Sequence, residues 1–415
     1  MQKAWLALLV WWLPATLGGA PGARRTVAAP QDTTVAQRIA AELEPKVEAA
    51  TGMRFRYPPQ IAERTRDQLR AYVDHKLTED FPAAQMRGLE RTYHLFGVVD
   101  DTTNVRQLLL DLYAEQVAGF YDTDSTKLFV IRGGDPQLLR AVMAHELVHA
   151  LQDQHTRLNA VLRMHGDNDR QSAGQAVFEG QAMVGMLRAL QPSVTDDQLN
   201  TMIDAMRRST QSPVASMPVL SRAPRFITDG LIFPYADGAA FILAFEARRT
   251  SDTAQPFGAA LPISTEQILH PAAYATHDVP ARVRFAPHAR ADTLVYEDDL
   301  GEFETRETLM AWGEADDVAG AAAAGWDGDR YEILGTPSGT VLVWAAAWDT
   351  EADAADFAHR VREGWTRRAA RMTDAATRRF TVDRLTIGGV SVVRLVDAPR
   401  RWSEWSRLPA VRLGR

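Results

Sequence analysis

His145-Glu146-Leu147-Val148-His149 is the stretch that decides how this chain is read. It lies within Pro136 to about Gln154, a run with helical periodicity. Residues four apart on a helix project from the same side, about 40° apart around the axis. Two imidazoles placed this way can bind one Zn²⁺ through nitrogen, with the Glu146 carboxylate beside them. A bound zinc polarises a carbonyl and lowers the pKa of a water, whose proton the carboxylate takes. The competing reading is an amphipathic helix with two surface histidines. Val142, Met143, Val148 and Leu151 weigh against it, because they give the other faces something to bury.

Just upstream the period changes from helical to alternating. Ala118 to Asp122, a turn-like Thr123 to Thr126, and Lys127 to Arg132 read as a β-hairpin. Gly133-Gly134-Asp135-Pro136 ends it, with Asp135 suited to the N-cap and Pro136 to the first helical position.

Zinc needs a third protein ligand, and two residues compete. His155 lies six residues after His149, the spacing of the longer metzincin pattern. That pattern has a glycine where this chain has Gln152, and the glycine is what turns the third histidine back toward the metal. On a continuing helix His155 points away and suits a C-terminal cap instead. Glu179, in Ala176-Val177-Phe178-Glu179-Gly180-Gln181-Ala182, lies on the next helix, 30 residues beyond His149. A His₂Glu set is well precedented in catalytic zinc sites, and Gly180 and Ala182 permit close helix approach, so Glu179 is preferred. A solvated helix carboxylate is its alternative.

The rest of the chain sets the frame. At 415 residues it is too long for one ordinary core. Apolar and charged contents of 46% and 24% are those of a globular protein. A net charge of −7 argues against a nucleic-acid partner. The absence of cysteine excludes disulfides, thiolate zinc sites and cysteine nucleophiles. Lys3 followed by the apolar run Ala4 to Leu13 and small residues near Ala20 reads as a signal peptide over 1–23. The expected location is therefore secreted, periplasmic or cell-envelope, with membrane association only if that segment stays uncleaved. A flexible segment over 24–34 follows.

Helices are expected over 35–51, 65–76, 81–96, 105–118, 171–190, 196–208 and 237–248, with irregular chain over 256–287 and no later stretch able to span a membrane. From about Asp292 the texture changes. Thr340 to Trp348 reads as a strand, Ala352 to Met372 as a helix, and Phe380 to Ile387 with Val390 to Val396 as a strand pair. Ala319 to Ala324 suits tight helix packing, and Asp327-Gly328-Asp329 suits a turn. Trp312, Trp326, Trp344 and Trp348 suggest a well-packed core.

His145 to His155, HELVHALQDQH, resembles a family of bacterial exported zinc metallopeptidases of gluzincin type. The resemblance extends to Val117 to Asp122, Phe178 to Ala182, Phe233-Pro234-Tyr235, Ile263 to Pro271 and Ala324 to Tyr331, so it covers most of the chain. It implies zinc on His145, His149 and Glu179, with Glu146 as general base. It implies little about substrate. In the thermolysin-like pattern an aspartate follows the glutamate ligand by four positions; Met183 stands there instead, so the groups behind the ligands must differ.

The expected fold is α+β: a mainly helical zincin-like metallopeptidase domain with a small sheet over 35–290, then a smaller α+β domain of unassigned role over 291–415. In zincin folds an exposed edge strand pairs with the substrate backbone, and Lys127 to Arg132 is the candidate, with an interior strand as the alternative. Tyr121, Tyr235 and His270 are candidate oxyanion donors. The expected activity is hydrolysis of a protein or peptide outside the cytoplasm. The rivals are a non-catalytic zinc-stabilised envelope binding protein and a zinc hydrolase acting on a non-peptide bond.

Overall fold

The computed structural model describes residues 34–80, 82–132, 136–209, 217–289 and 291–414. The expected signal peptide 1–23, most of segment 24–34 and the Asp135 cap lie outside the described residues. The chain is α+β. Helix α1 (Val35–Thr51) leads to strand β1 (Gln60–Arg64), then α2 (Arg66–Asp80), α3 (Ala83–Phe96) and α4 (Val105–Gln116). The hairpin β2 (Gly119–Asp122) and β3 (Lys127–Ile131) precedes α5 (Pro136–His155), α6 (Leu158–Leu162), α7 (Asn168–Leu190) and α8 (Asp196–Ser209). Next come α9 (Arg225–Glu246), α10 (Thr265–Leu269), α11 (Pro271–Thr276), β4 (Arg282–Phe285) and β5 (Thr293–Asp298). The chain closes with α12 (Gly301–Ala311), α13 (Asp316–Ala323), β6 (Trp326–Thr336), β7 (Gly339–Trp348), α14 (Glu351–Ala369), β8 (Arg378–Ile387), β9 (Val390–Pro399) and β10 (Val411–Gly414).

Local chemistry explains the ends that matter. Thr34 and Gln37 form a reciprocal capping box that starts α1. Residues 141–152 of α5 are all buried. A helix buried on every side belongs in a core, and α5 lies among α1, α7, β2 and β3.

Four sequence expectations change here. Lys127 to Arg132 is not an edge: β3 is the middle of the order β1-β3-β2, parallel to β1 and antiparallel to β2. Its apolar Leu128, Phe129 and Val130 are buried, and both backbone edges are paired. The helix expected from Asp237 begins at Arg225 and runs through Pro234. An interior proline costs about 3 kcal/mol. Burial of Phe226, Ile227, Leu231, Phe233 and Phe241, at roughly 1.5–3 kcal/mol each, outweighs it. This helix, α9, is long and apolar enough to cross a membrane, but 78% of its most apolar stretch is buried in the protein. The irregular segment 256–287 contains α10, α11 and β4.

The fourth change concerns Asp327-Gly328-Asp329. It is a bulge inside β6, with Gly328 at φ +115° and a register shift between Trp326 and Asp329. A Cβ at Gly328 would come 2.2 Å from the Ala281 carbonyl oxygen, so only glycine fits. The bulge turns Asp329 inward. Its carboxylate accepts from the Leu300 and Gly301 N–H groups (3.0 Å each) and from the indoles of Trp326 (3.1 Å) and Trp344 (2.9 Å).

The large sheet is antiparallel, in the order β5-β6-β7-β9-β8, with α14 packed against it. Its apolar face continues into the N-terminal helices. Phe96 meets Tyr331 and Trp344 edge-on at 5.4 and 5.5 Å, and the Trp312 indole donates to the Phe96 carbonyl (2.6 Å). One hydrophobic core therefore crosses residue 290. A second, around α1, α5, α7, α8 and α9, encloses the motif and takes in Phe303 of α12. Buried carboxylates tie the two together at the start of α7. Asp298 and Asp299 accept from the Asn168 and Asp169 N–H groups (3.0 and 2.7 Å), and Asp169 accepts from the Thr265 N–H (2.8 Å).

Candidate metal centre

Two helices supply the centre. α5 presents His145, Glu146 and His149, and α7 presents Glu179. All four side chains are at most 1% exposed. The His145 and His149 Nε2 atoms lie 3.0 Å apart, and the Glu179 Oε2 atom lies 3.1 Å from the first and 3.3 Å from the second. Tetrahedral ligands at about 2.0–2.1 Å from an ion sit about 3.3 Å from one another. The triangle thus fits a single metal ion. Among the described residues, His145, His149 and Glu179 are the only group of this kind, with no fourth His, Asp or Glu.

What brings Glu179 into reach is a contact on its other flank. A Cβ at Gly180 would fall 2.1 Å from the Gly238 carbonyl carbon, and a Cβ at Gly238 would fall 2.0 Å from the Ala176 carbonyl oxygen. α7 and α9 therefore touch backbone to backbone. The same contact brings Tyr235 of α9 over the centre, its ring stacked 6.0 Å from that of His145.

Gln152 supplies the outer contact that the sequence reading missed. Its amide N–H₂ donates to the Phe178 carbonyl and to Gln181 Oε1, both at 3.0 Å. Its Oε1 is left to accept from His149 Nδ1 at 2.9 Å. That bond places a proton on Nδ1 and leaves the Nε2 lone pair for a metal. The available signal was spacing: Gln152 is three residues after His149 on one helix, hence on the same face. Gln152→Leu is expected to weaken metal binding roughly 10- to 100-fold while the fold persists. Competition with a metal-chelating dye measures this, and unchanged affinity would remove Gln152 from the centre.

The electrostatics are those of a buried cation site. Burial pulls His145 down to about 4. Burial also opposes charge on His149, but the Glu179 carboxylate outweighs it and holds that imidazole's pKa up. Burial would raise Glu179, yet the two imidazoles bring it down to about 2. The Glu179 carboxylate thus favours a proton on His149, and a metal would take that proton's place on Nε2. Burial lifts Glu146 to about 7. Its Oε2 accepts from the Tyr121 N–H (2.7 Å), and its Oε1 has no partner among the described residues.

The remaining candidates lie elsewhere or are engaged. His155 is exposed and donates to the Arg54 carbonyl (2.7 Å), so it is not in the centre. The continuing α5 carries it away, as the missing glycine implies. The Tyr121 hydroxyl donates to Asp153 (3.0 Å). His270 pairs with Glu302 (2.8 Å) and is not part of the group. Met183 is buried and apolar, so it does not take the aspartate's place. His145 Nδ1 has no partner among the described residues.

A domain of unknown function (DUF8575) matches residues 291–401. No curated protein matches the chain. A solved structure from Chloroflexus aurantiacus, described as "a putative hydrolase with a novel fold", is 20% identical and covers 58% of this chain and 88% of its own, with a TM-score of 0.38.

Proposed function

We propose that this protein is a zinc-dependent peptidase of gluzincin type, acting outside the cytoplasm on protein or peptide substrates. The observation that carries the reading is the three-ligand group with an unligated, half-satisfied carboxylate beside it. Structural zinc sites have four protein ligands, whereas catalytic ones keep a position open. His145, His149 and Glu179 would hold the ion. Bound zinc would supply a Lewis acid and lower the pKa of a water. Glu146 is positioned to receive a proton: the Tyr121 N–H fixes Oε2, and Oε1 has no partner among the described residues. Gln152 fixes the ring of His149. The N-terminal apolar run supports export, and the motif's extended resemblance supports the zincin-like class.

A second reading, a non-catalytic metal-stabilised protein, is favoured by one observation. The four site residues are at most 1% exposed, so substrate reaches Glu146 only when the wall over it opens. One experiment separates the two. The purified protein is expected to carry about one zinc per chain, to cleave an unfolded protein such as casein, and to lose and regain cleavage with chelation and added zinc. Glu179→Ala is expected to lose both metal and cleavage. A zinc-loaded protein that cleaves nothing, with a melting temperature that falls on chelation, would decide for the second reading.

A further inference from the structure

A cavity of about 1590 Å³ opens where no metal-centre residue lines it. Its walls are α3, the β6–β7 turn, the end of α14 with the segment after it, and the end of β9. Six arginines line it: Arg87, Arg91, Arg368, Arg378, Arg400 and Arg401. Three carboxylates oppose them, Glu90, Asp101 and Asp374. Asp397, 2% exposed, pairs with Arg378 at 3.1 Å, so a surplus of two positive charges remains in a chain whose net charge is −7.

The chain's other acids do not neutralise this surplus. Glu90 Oε1 accepts from the Val105 N–H (3.1 Å), which commits it to the start of α4. Asp101 lies 3.6 Å from Arg368 and Asp374 lies 3.7 Å from Arg378, both too far for a charge-assisted hydrogen bond. The side chains of Arg87, Arg91 and Arg401 make no hydrogen bond or ion pair among the described residues. Arg87 and Arg91 are one turn apart on α3, so they project from the same side. Arg368 is only 4% exposed, donates to the His94 carbonyl, and keeps an unpartnered Nε. Burial holds its guanidinium below the usual arginine range, whereas at half-buried Arg330 the Glu297 carboxylate outweighs burial.

We propose that this cavity binds a ligand carrying at least one phosphate group. Guanidinium forks match phosphate oxygens bidentately. A phosphate monoester carries about −1.5 to −2 charges, so one of them meets the surplus of two. A carboxylate ligand would need two separate acids to do the same. The volume exceeds the ~300–1,000 Å³ of a typical small-molecule site, which leaves room for the organic body that carries the phosphate. The binding is independent of the metal chemistry.

Two probes distinguish a soluble ligand from a lipid headgroup. The full chain is titrated calorimetrically with sodium tripolyphosphate at low salt. It is also sedimented with phosphatidylcholine vesicles with and without cardiolipin, which carries two phosphates. The double variant Arg87→Glu with Arg91→Glu alters only exposed, unpaired side chains and is expected to keep its wild-type fold and metal content. Wild type is expected to bind at least one phosphate probe, and the double variant to bind it at least about 10-fold more weakly. Tripolyphosphate binding marks a soluble ligand; binding to cardiolipin vesicles alone marks a lipid. The proposal is overturned if neither probe binds, if the variant binds as tightly as wild type, or if poly-glutamate binds where both phosphate probes fail.

Discussion

Glu146→Gln is expected to keep its metal and to lose on the order of 10²- to 10⁴-fold in kcat/KM, the usual contribution of a positioned general base. Glutamine has nearly the size of glutamate, and its side-chain oxygen can still accept from the Tyr121 N–H that holds Oε2. The change falls on Oε1, the atom without a partner, which becomes an amide that cannot take a proton. Stability should not fall. The carboxylate is buried, and burial has already pushed it up to about 7, so replacing it with a neutral group removes a desolvation cost. Metal content by elemental analysis, thermal unfolding and peptide cleavage together give the answer. Full cleavage by a metal-loaded variant would take Glu146 out of the reaction.

Gly238→Ala and Gly180→Ala are each expected to destabilise by about 3 kcal/mol or more, the upper range of overpacking. The sign is the opposite of helix propensity, which favours alanine over glycine by about 1 kcal/mol. Sterics decide it. The new methyl groups would meet the Ala176 carbonyl oxygen at 2.0 Å and the Gly238 carbonyl carbon at 2.1 Å, and backbone cannot rotate aside as a side chain can. α7 and α9 must separate, and Glu179 is the neighbour of Gly180, so metal affinity should fall as well. Gly320→Ala in α13 is the control, since its Cβ meets nothing within 4 Å and should follow propensity. Urea unfolding of the three variants tests the argument; a neutral Gly238→Ala would show that the helices yield cheaply.

The segments legible in the sequence were those whose signal is local. α1, the hairpin, α5 and α7 follow from periodicity, capping and turn chemistry, and their bounds shift by only a few residues. α9 is only partly legible because Pro234 is a local breaker, and its cost is outweighed by burial that no local pattern displays. Asp327 to Asp329 in β6 has the local signature of a turn because a bulge and a turn share glycine and aspartate. Strand β3 could not be placed as centre or edge, since its second partner, β1, lies more than 60 residues earlier in the chain.

The sequence alone, through its four-residue spacing, puts His145 and His149 on one helical face, with Glu146 beside them. It also makes Glu179 the better third ligand, because Gln152 replaces the glycine that would turn His155 back. Long-range packing, which no local pattern displays, brings Glu179 within 3.1 Å of His145, sets Gln152 against His149 and forms an arginine-lined cavity where α3 meets the large sheet. The reason is physical. Spacing along a helix is fixed by backbone geometry, whereas contacts between α5, α7 and α9 depend on how closely their backbones approach, and that is set by two glycines 58 residues apart.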